Sequence, residues 1–139
     1  MKKSLVIAIL VLTLLLAACA SQASSPKKIA TYCAAVPVFM QALEDFHALS
    51  PNSSAAEYAA AYGKAVAAGV VVREASKGMN EQEVKDFSQA VNQYATELEY
   101  VPSTLPAAAD ALRTMASVEQ QYQEVLKAYP AVETGVCAP

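Results

Sequence analysis

The side chains best placed for chemistry are a carboxylate and a histidine, Glu44 and His47, three residues apart. On a helix this Glu-x-x-His spacing puts both side chains on one face, and it is half of the motif that binds metal in di-iron helical bundles. The complete site needs a second such pair, and His47 is the only histidine in the chain. We therefore predict no metal site, and we interpret His47 as a half-buried residue at a helix end.

Other cofactor and catalytic arrangements are incomplete as well. A haem held by His47 and by Met79 or Met115 would lack the Cys-x-x-Cys-His attachment motif. No serine lies in a Gly-x-Ser-x-Gly sequence, and the four glycines are too scattered for a phosphate-binding loop. The sequence thus predicts a non-enzymatic protein without a cofactor. A hydrolase built on two carboxylates stays open, because 13 acidic residues form many pairs.

The first of three cysteines ends an apolar N-terminal run. Two lysines precede the run, which extends from Ser4 to Ala18 and is too short to span a bilayer comfortably. The sequence Leu16-Ala17-Ala18-Cys19 at its end resembles the lipobox of bacterial lipoproteins. The resemblance implies that residues 1–18 are removed as a signal peptide and that Cys19 carries a diacylglyceryl group and an N-acyl chain such as palmitate. The alternative is a plain signal peptide with a coincidental cysteine.

A lipidated Cys19 implies a location in the bacterial cell envelope. The anchor would lie on the outer side of the plasma membrane or in the outer membrane, where two or more acyl chains hold a protein stably. Residues 19–28 then form the lipidated cysteine and a flexible tether, and residues 29–139 form the folded domain. The expected partners are the bilayer and an envelope protein.

Nucleic acid is not an expected partner. The net charge is −3, and removal of Lys2 and Lys3 with the signal peptide makes the mature chain more acidic. The phosphate backbone would therefore repel it.

The other two cysteines, Cys33 and Cys137, lie near the two ends of the mature chain. Export places them where disulfides form and persist, so we predict that they pair. Two free thiols are the alternative.

Apolar residues recur at spacings of three and four, which predicts four helices over about 26–49, 54–77, 80–101 and 104–129. Ser25 and Ser54 are placed to cap the first two helices, and Asn80 is placed to cap the third. Pro102 and Pro130 are expected to end the third and fourth helices, which leaves residues 130–139 as a tail carrying Cys137. The apolar run from Ala65 to Val72 is too short for a membrane span and is predicted to be core.

We predict an all-α fold, an up-down-up-down four-helix bundle closed by one disulfide. Short connections favour antiparallel neighbours. Four antiparallel helices also return the chain to the end where it began, so that Cys137 can reach Cys33.

The expected function is a membrane-anchored lipoprotein that binds or scaffolds a protein partner in the envelope. The alternative is a carrier or receptor for a small apolar or aromatic ligand inside the bundle. A scaffold should have a tightly packed core, whereas a carrier should have a cavity lined by tyrosines and by Met40 or Met115. Six tyrosines lie on three of the predicted helices: Tyr58, Tyr62, Tyr94, Tyr100, Tyr122 and Tyr129.

Overall fold

A computed structural model describes residues 23–50, 52–104 and 108–139, and within these ranges the chain is helical and contains no strand. The predicted all-α class is confirmed. Cys19 and the signal peptide predicted at residues 1–18 lie outside the described residues. The elements, in chain order, are α1 (Pro26–His47), α2 (Ala55–Ser76), α3 (Gln82–Thr104), α4 (Ala108–Ala131) and a π-helical turn (Val132–Val136).

The first two helices begin where the sequence predicts. Ser25 Oγ accepts a hydrogen bond from the Lys28 amide at 3.4 Å. Pro26 occupies the first turn, where an N–H group has no acceptor within the helix, so its missing N–H costs no hydrogen bond. Ser54 and Glu57 form a reciprocal capping box, with N···O distances of 2.6 and 3.2 Å. These contacts satisfy amides that the helix itself leaves unpaired.

The last two helices differ from prediction at their ends. α3 begins at Gln82 and continues through Pro102 to Thr104. α4 passes Pro130 and leads directly into the π-helical turn, so residues 130–139 are not a loose tail. A proline beyond the first turn of a helix removes one hydrogen bond and crowds the carbonyl four residues earlier, so other contacts must offset that cost at Pro130. Burial of Val132 and the bond from the Cys137 amide to the Val132 carbonyl, at 2.9 Å, favour continued winding.

The core receives side chains from all four helices. The prediction is most accurate for α3, where every third or fourth residue is fully buried: Val84, Phe87, Val91, Tyr94 and Leu98. On α2, Gly69 lies against the Phe39 ring of α1, and a Cβ there would be 3.4 Å from that ring. The absence of a side chain at Gly69 therefore lets α2 approach α1 closely.

The apolar run from Ala65 to Val72 is only partly core, which corrects the sequence prediction. Ala65 and Val72 are buried, but Val70 is 41% exposed and Val71 is 54% exposed. The run is apolar on every side of α2, and only one side faces the other helices.

The Cys33–Cys137 disulfide is present, as predicted. It joins the second turn of α1 to the residue that follows the π-helical turn, with a Cα–Cα distance of 5.4 Å and a sequence separation of 104 residues. The end of the chain is thereby fixed beside the start of the domain.

A second contact, here called the Ser24–Glu81 clamp, fixes the segment before α1. The Glu81 carboxylate accepts hydrogen bonds from the Ser24 hydroxyl at 2.6 Å and the Ser24 amide at 2.8 Å. These bonds, followed by smaller contributions that include the Asn80 amide, lower the pKa of Glu81 to about 2. The sequence assigns residues 24–28 to the tether. In the structure Ser24 is instead bonded to the domain, and residues 26–28 belong to α1.

We expect that replacing both disulfide cysteines by serine lowers the free energy of unfolding by about 4–5 kcal/mol, because a closed loop of this length strongly restricts the unfolded chain. Urea denaturation at pH 7, followed by circular dichroism, measures the difference. Alkylation of the native wild type without reductant is the control. Modification of both thiols there would contradict the pairing.

Candidate functional site

Three helices meet at His47, the last residue of α1. Its Nε2 lies 3.1 Å from the Tyr94 hydroxyl of α3, and its Nδ1 lies 3.3 Å from Glu119 Oε2 of α4. The Tyr122 ring, also on α4, stacks on the imidazole with ring centroids 3.7 Å apart and planes 11° apart. His47 is half-buried, as predicted, and it connects α1, α3 and α4.

One tautomer of neutral His47 satisfies both polar contacts. Tyr94 donates its hydroxyl proton to Nε2, and Nδ1–H donates to the Glu119 carboxylate. Burial lowers the pKa of His47, although the charge of Glu119 and its hydrogen bond act in the opposite direction. Burial also raises the pKa of Tyr94, so its hydroxyl keeps the proton that it donates.

A carboxylate, a histidine and a hydroxyl in this order resemble a catalytic relay. The geometry does not allow one here, because Tyr94 is only 1% exposed and no substrate can reach its oxygen. Both nitrogens of His47 are also engaged. The cluster therefore joins helices, and neither the Tyr94 hydroxyl nor a ring nitrogen of His47 is available to a substrate.

The His47 cluster does not form a metal site. Within residues 23–50, 52–104 and 108–139, no group of three or more His, Cys, Asp or Glu side chains is arranged to hold a metal ion. Glu44 is exposed. Burial raises the pKa of Tyr122, and the negative charge of Glu44 raises it further.

An apolar pocket of about 460 Å³ lies next to this cluster. It opens where the end of α1, the start of α2, the end of α3 and the first part of α4 come together. Its described lining residues are Phe46, Ala55, Tyr58, Ala59, Tyr62, Val101 and Met115. The volume is in the range of small-molecule sites, roughly 300–1,000 Å³.

Two aromatic side chains give the pocket its shape. The Tyr58 hydroxyl donates to the Ser50 carbonyl at 3.2 Å, which fixes the ring as part of the wall. Phe46 also lines the pocket and packs edge-on against the His47 ring, with centroids 5.5 Å apart. The pocket and the His47 cluster therefore share a wall.

The tyrosines singled out from the sequence have separate roles. Tyr58 and Tyr62 line the pocket, whereas Tyr94 and Tyr122 contact His47. Met115 also lines the pocket.

Other residues named from the sequence lie elsewhere. Tyr129 donates to Glu133 at 3.1 Å, Tyr100 is 58% exposed, and Met40 is in the core. Sequence reasoning missed Glu119. The signal available was its position three residues before Tyr122, which places both on one side of α4.

The comparisons with known proteins do not assign a family. No protein-family model matches the chain, and no similar curated protein or solved structure was found.

In the part of the chain that the structure describes, no helix is both long enough and apolar enough to cross a membrane.

The lowered pKa of His47 predicts that stability depends on pH. In the unfolded chain His47 titrates near 6.5, and in the folded protein it titrates below that value. Between the two values the unfolded state binds more protons, so the free energy of unfolding should fall as the pH drops below about 6.5. Urea denaturation between pH 5.5 and 8 measures this above the range in which Glu81 adds its own dependence, and His47→Phe should remove the fall there.

At pH 8 we expect His47→Phe to lower the free energy of unfolding by about 1–3 kcal/mol, because it leaves the buried Tyr94 hydroxyl without an acceptor. Tyr94→Phe in the same chain removes that hydroxyl and should recover part of the loss. Equal costs for the single and double variants would show that the unpaired Tyr94 hydroxyl carries no penalty.

Proposed function

We propose that this protein is a lipoprotein of the bacterial cell envelope, anchored through acylated Cys19, that binds a small uncharged apolar or aromatic molecule in the pocket lined by Phe46, Tyr58 and Tyr62. The observation that supports the ligand is the pocket itself. It combines a suitable volume with two tyrosines and Met115, which is the arrangement expected of a carrier.

The lining restricts the chemistry of the ligand. Every described residue of the wall is apolar or aromatic, and none carries a charge. An ionised ligand would lose its hydration there without gaining a charged partner among the described lining residues, which is costly. Flat rings can stack on Tyr58, Tyr62 or Phe46, and Met115 supplies a polarizable, adaptable side chain.

We also propose the up-down-up-down bundle as the arrangement of the helices. The grooves between α1 and α2 support it, because Thr31, early in α1, lines one groove with Val71, late in α2. Asp45, late in α1, lines another groove with Lys64, earlier in α2. Residues pair in this reversed order when two helices run in opposite directions.

This arrangement separates the pocket from the anchor. Pro26 and Phe46 are twenty residues apart on α1, which corresponds to about 30 Å of helix. The tether joins at Pro26, and the pocket is at Phe46. The ligand would therefore enter far from the anchored end.

A protein partner in the envelope is the second candidate, and it is favoured by the exposure of Tyr100 and Met115, which are 58% and 42% exposed. Tyrosine and methionine are enriched at protein interfaces. Cross-linking in cells, followed by capture of the anchored protein and of Cys19→Ala, tests this candidate. It predicts one protein enriched reproducibly with the anchored form.

The anchor predicts that wild-type protein expressed in bacteria incorporates an alkyne-labelled palmitate and sediments with membranes. Cys19→Ala should do neither, because it lacks the thiol that forms the thioether bond to lipid. Gel detection of the label and membrane fractionation give the two readouts. An unlabelled wild type, or a labelled Cys19→Ala, would contradict lipidation at this residue.

The pocket predicts binding of the uncharged fluorophore N-phenyl-1-naphthylamine. Ala59→Phe places a ring in the space that the probe would occupy, so we expect affinity to fall about tenfold or more, equivalent to about 1.4 kcal/mol. Ala60→Phe is the matched control, because Ala60 is exposed and outside the wall. Fluorescence titration compares both variants with wild type, and equal affinities would place the probe elsewhere.

A further inference from the structure

An exposed apolar surface runs along α1 and α2, away from the pocket. We call it the valine face and define it by Ala34 and Val38 on α1 and by Ala67 and Val71 on α2. Val38 is 63% exposed and Val71 is 54% exposed. The groove between the two helices has a volume of about 700 Å³. The largest contiguous apolar patch on a domain often has a function.

The chain that precedes α1 indicates what lies against this face. The Ser24–Glu81 clamp holds Ser24 on the domain, and Cys19 is only five residues before Ser24 in the sequence. Five residues span at most about 18 Å when fully extended. An acylated Cys19 would therefore keep the start of α1 close to the bilayer. Val38 is twelve residues from Pro26, which is about 18 Å along the helix.

The charges around the face also suit a lipid surface. Lys27 lies four residues before Thr31 on the same side of α1, and Lys64 lies beside the groove on α2. Lysine stems extend along apolar surface while their ammonium groups reach the headgroups, where an anionic leaflet attracts them. Asp45 is the acidic residue lining the groove, and it lies at the end far from the tether. Glu74, exposed three residues after Val71, is paired with Lys77 at 2.7 Å.

A second copy of the chain is a poorer fit to the face. The two grooves together extend from Thr31 to Asp45, about 21 Å of α1, and two neighbouring helices, each about 10 Å in diameter, give a width of about 20 Å. The resulting area is roughly 400 Å² at most, against about 800 Å² per partner in a stable protein interface.

We propose that the valine face lies on the bilayer, with Val38 and Val71 at the boundary between headgroups and acyl chains and with Lys27 and Lys64 at headgroup level. This inference rests on the proposed anchor at Cys19. The domain would then lie on α1 and α2.

Tryptophan fluorescence tests the orientation, because the chain contains no tryptophan. Val38→Trp places a probe on the face. Gln93→Trp is the matched control, since Gln93 is exposed on α3 eleven residues after Gln82, about as far along its helix as Val38 is along α1. The processed, lipidated variants are reconstituted into vesicles of phosphatidylethanolamine and phosphatidylglycerol, with and without brominated acyl chains.

We expect brominated lipid to reduce the emission of the Val38→Trp variant by about half or more, because an interfacial face is buried about 5–10 Å into the boundary. The Gln93→Trp variant should keep its intensity. If the emission of Val38→Trp is the same with and without bromine, the domain stands upright and the inference is wrong. A blue-shifted emission from Val38→Trp that bromine does not quench would identify a second copy on the face, which also overturns it.

Flotation separates this inference from the proposed anchor. If lipidated wild type fails to float with the vesicles, the proposed anchor is wrong, and so is the inference that rests on it. If Val38→Trp floats with the vesicles while its emission stays unquenched, the anchor is intact and only the contact with the bilayer is excluded.

Discussion

The Cys33–Cys137 disulfide holds the last residues of the chain against the first helix, and the arrangement of the other elements depends on this closure. The π-helical turn before Cys137 buries Val132 and gives the chain the path it needs to reach α1. At the same end, the Ser24–Glu81 clamp fixes the segment that enters α1. Both ends of the described domain are therefore held together, while the pocket at Phe46 lies at the other end of α1.

The two ends of α1 are held in place by different kinds of interaction. At Cys33 a covalent bond limits the freedom of the unfolded chain. At His47 there is no covalent bond, and three helices are joined through a stacked ring and two hydrogen bonds whose polar atoms satisfy each other. Phe46 packs against His47 on one side and lines the pocket on the other. The side chains of Tyr58, Tyr62 and Met115 line the same pocket. The proposed binding site is thus a local gap beside a well-ordered contact.

Much of the fold could be predicted from the sequence, because the determining interactions are local. The apolar spacing of α3 and the caps at Ser25 and Ser54 each depend on residues a few positions apart. The passage of helices through Pro102 and Pro130 could not be predicted, since the burial of residues such as Val132 depends on distant contacts. The partnership of His47 with Glu119 was missed for the same reason, as the two residues lie on different helices.

The Ser24–Glu81 clamp has a consequence for how long the proposed lipid-anchored form would stay on the membrane. Proteases cut exposed, flexible chain most readily. With Ser24 held against Glu81, the proposed tether would offer only residues 19–23, close to the lipid, to an envelope protease. Loss of the clamp would lengthen the accessible segment toward Lys28. Shedding of the domain from the membrane would then become faster, so a pair of hydrogen bonds at one carboxylate would govern the lifetime of the anchored form.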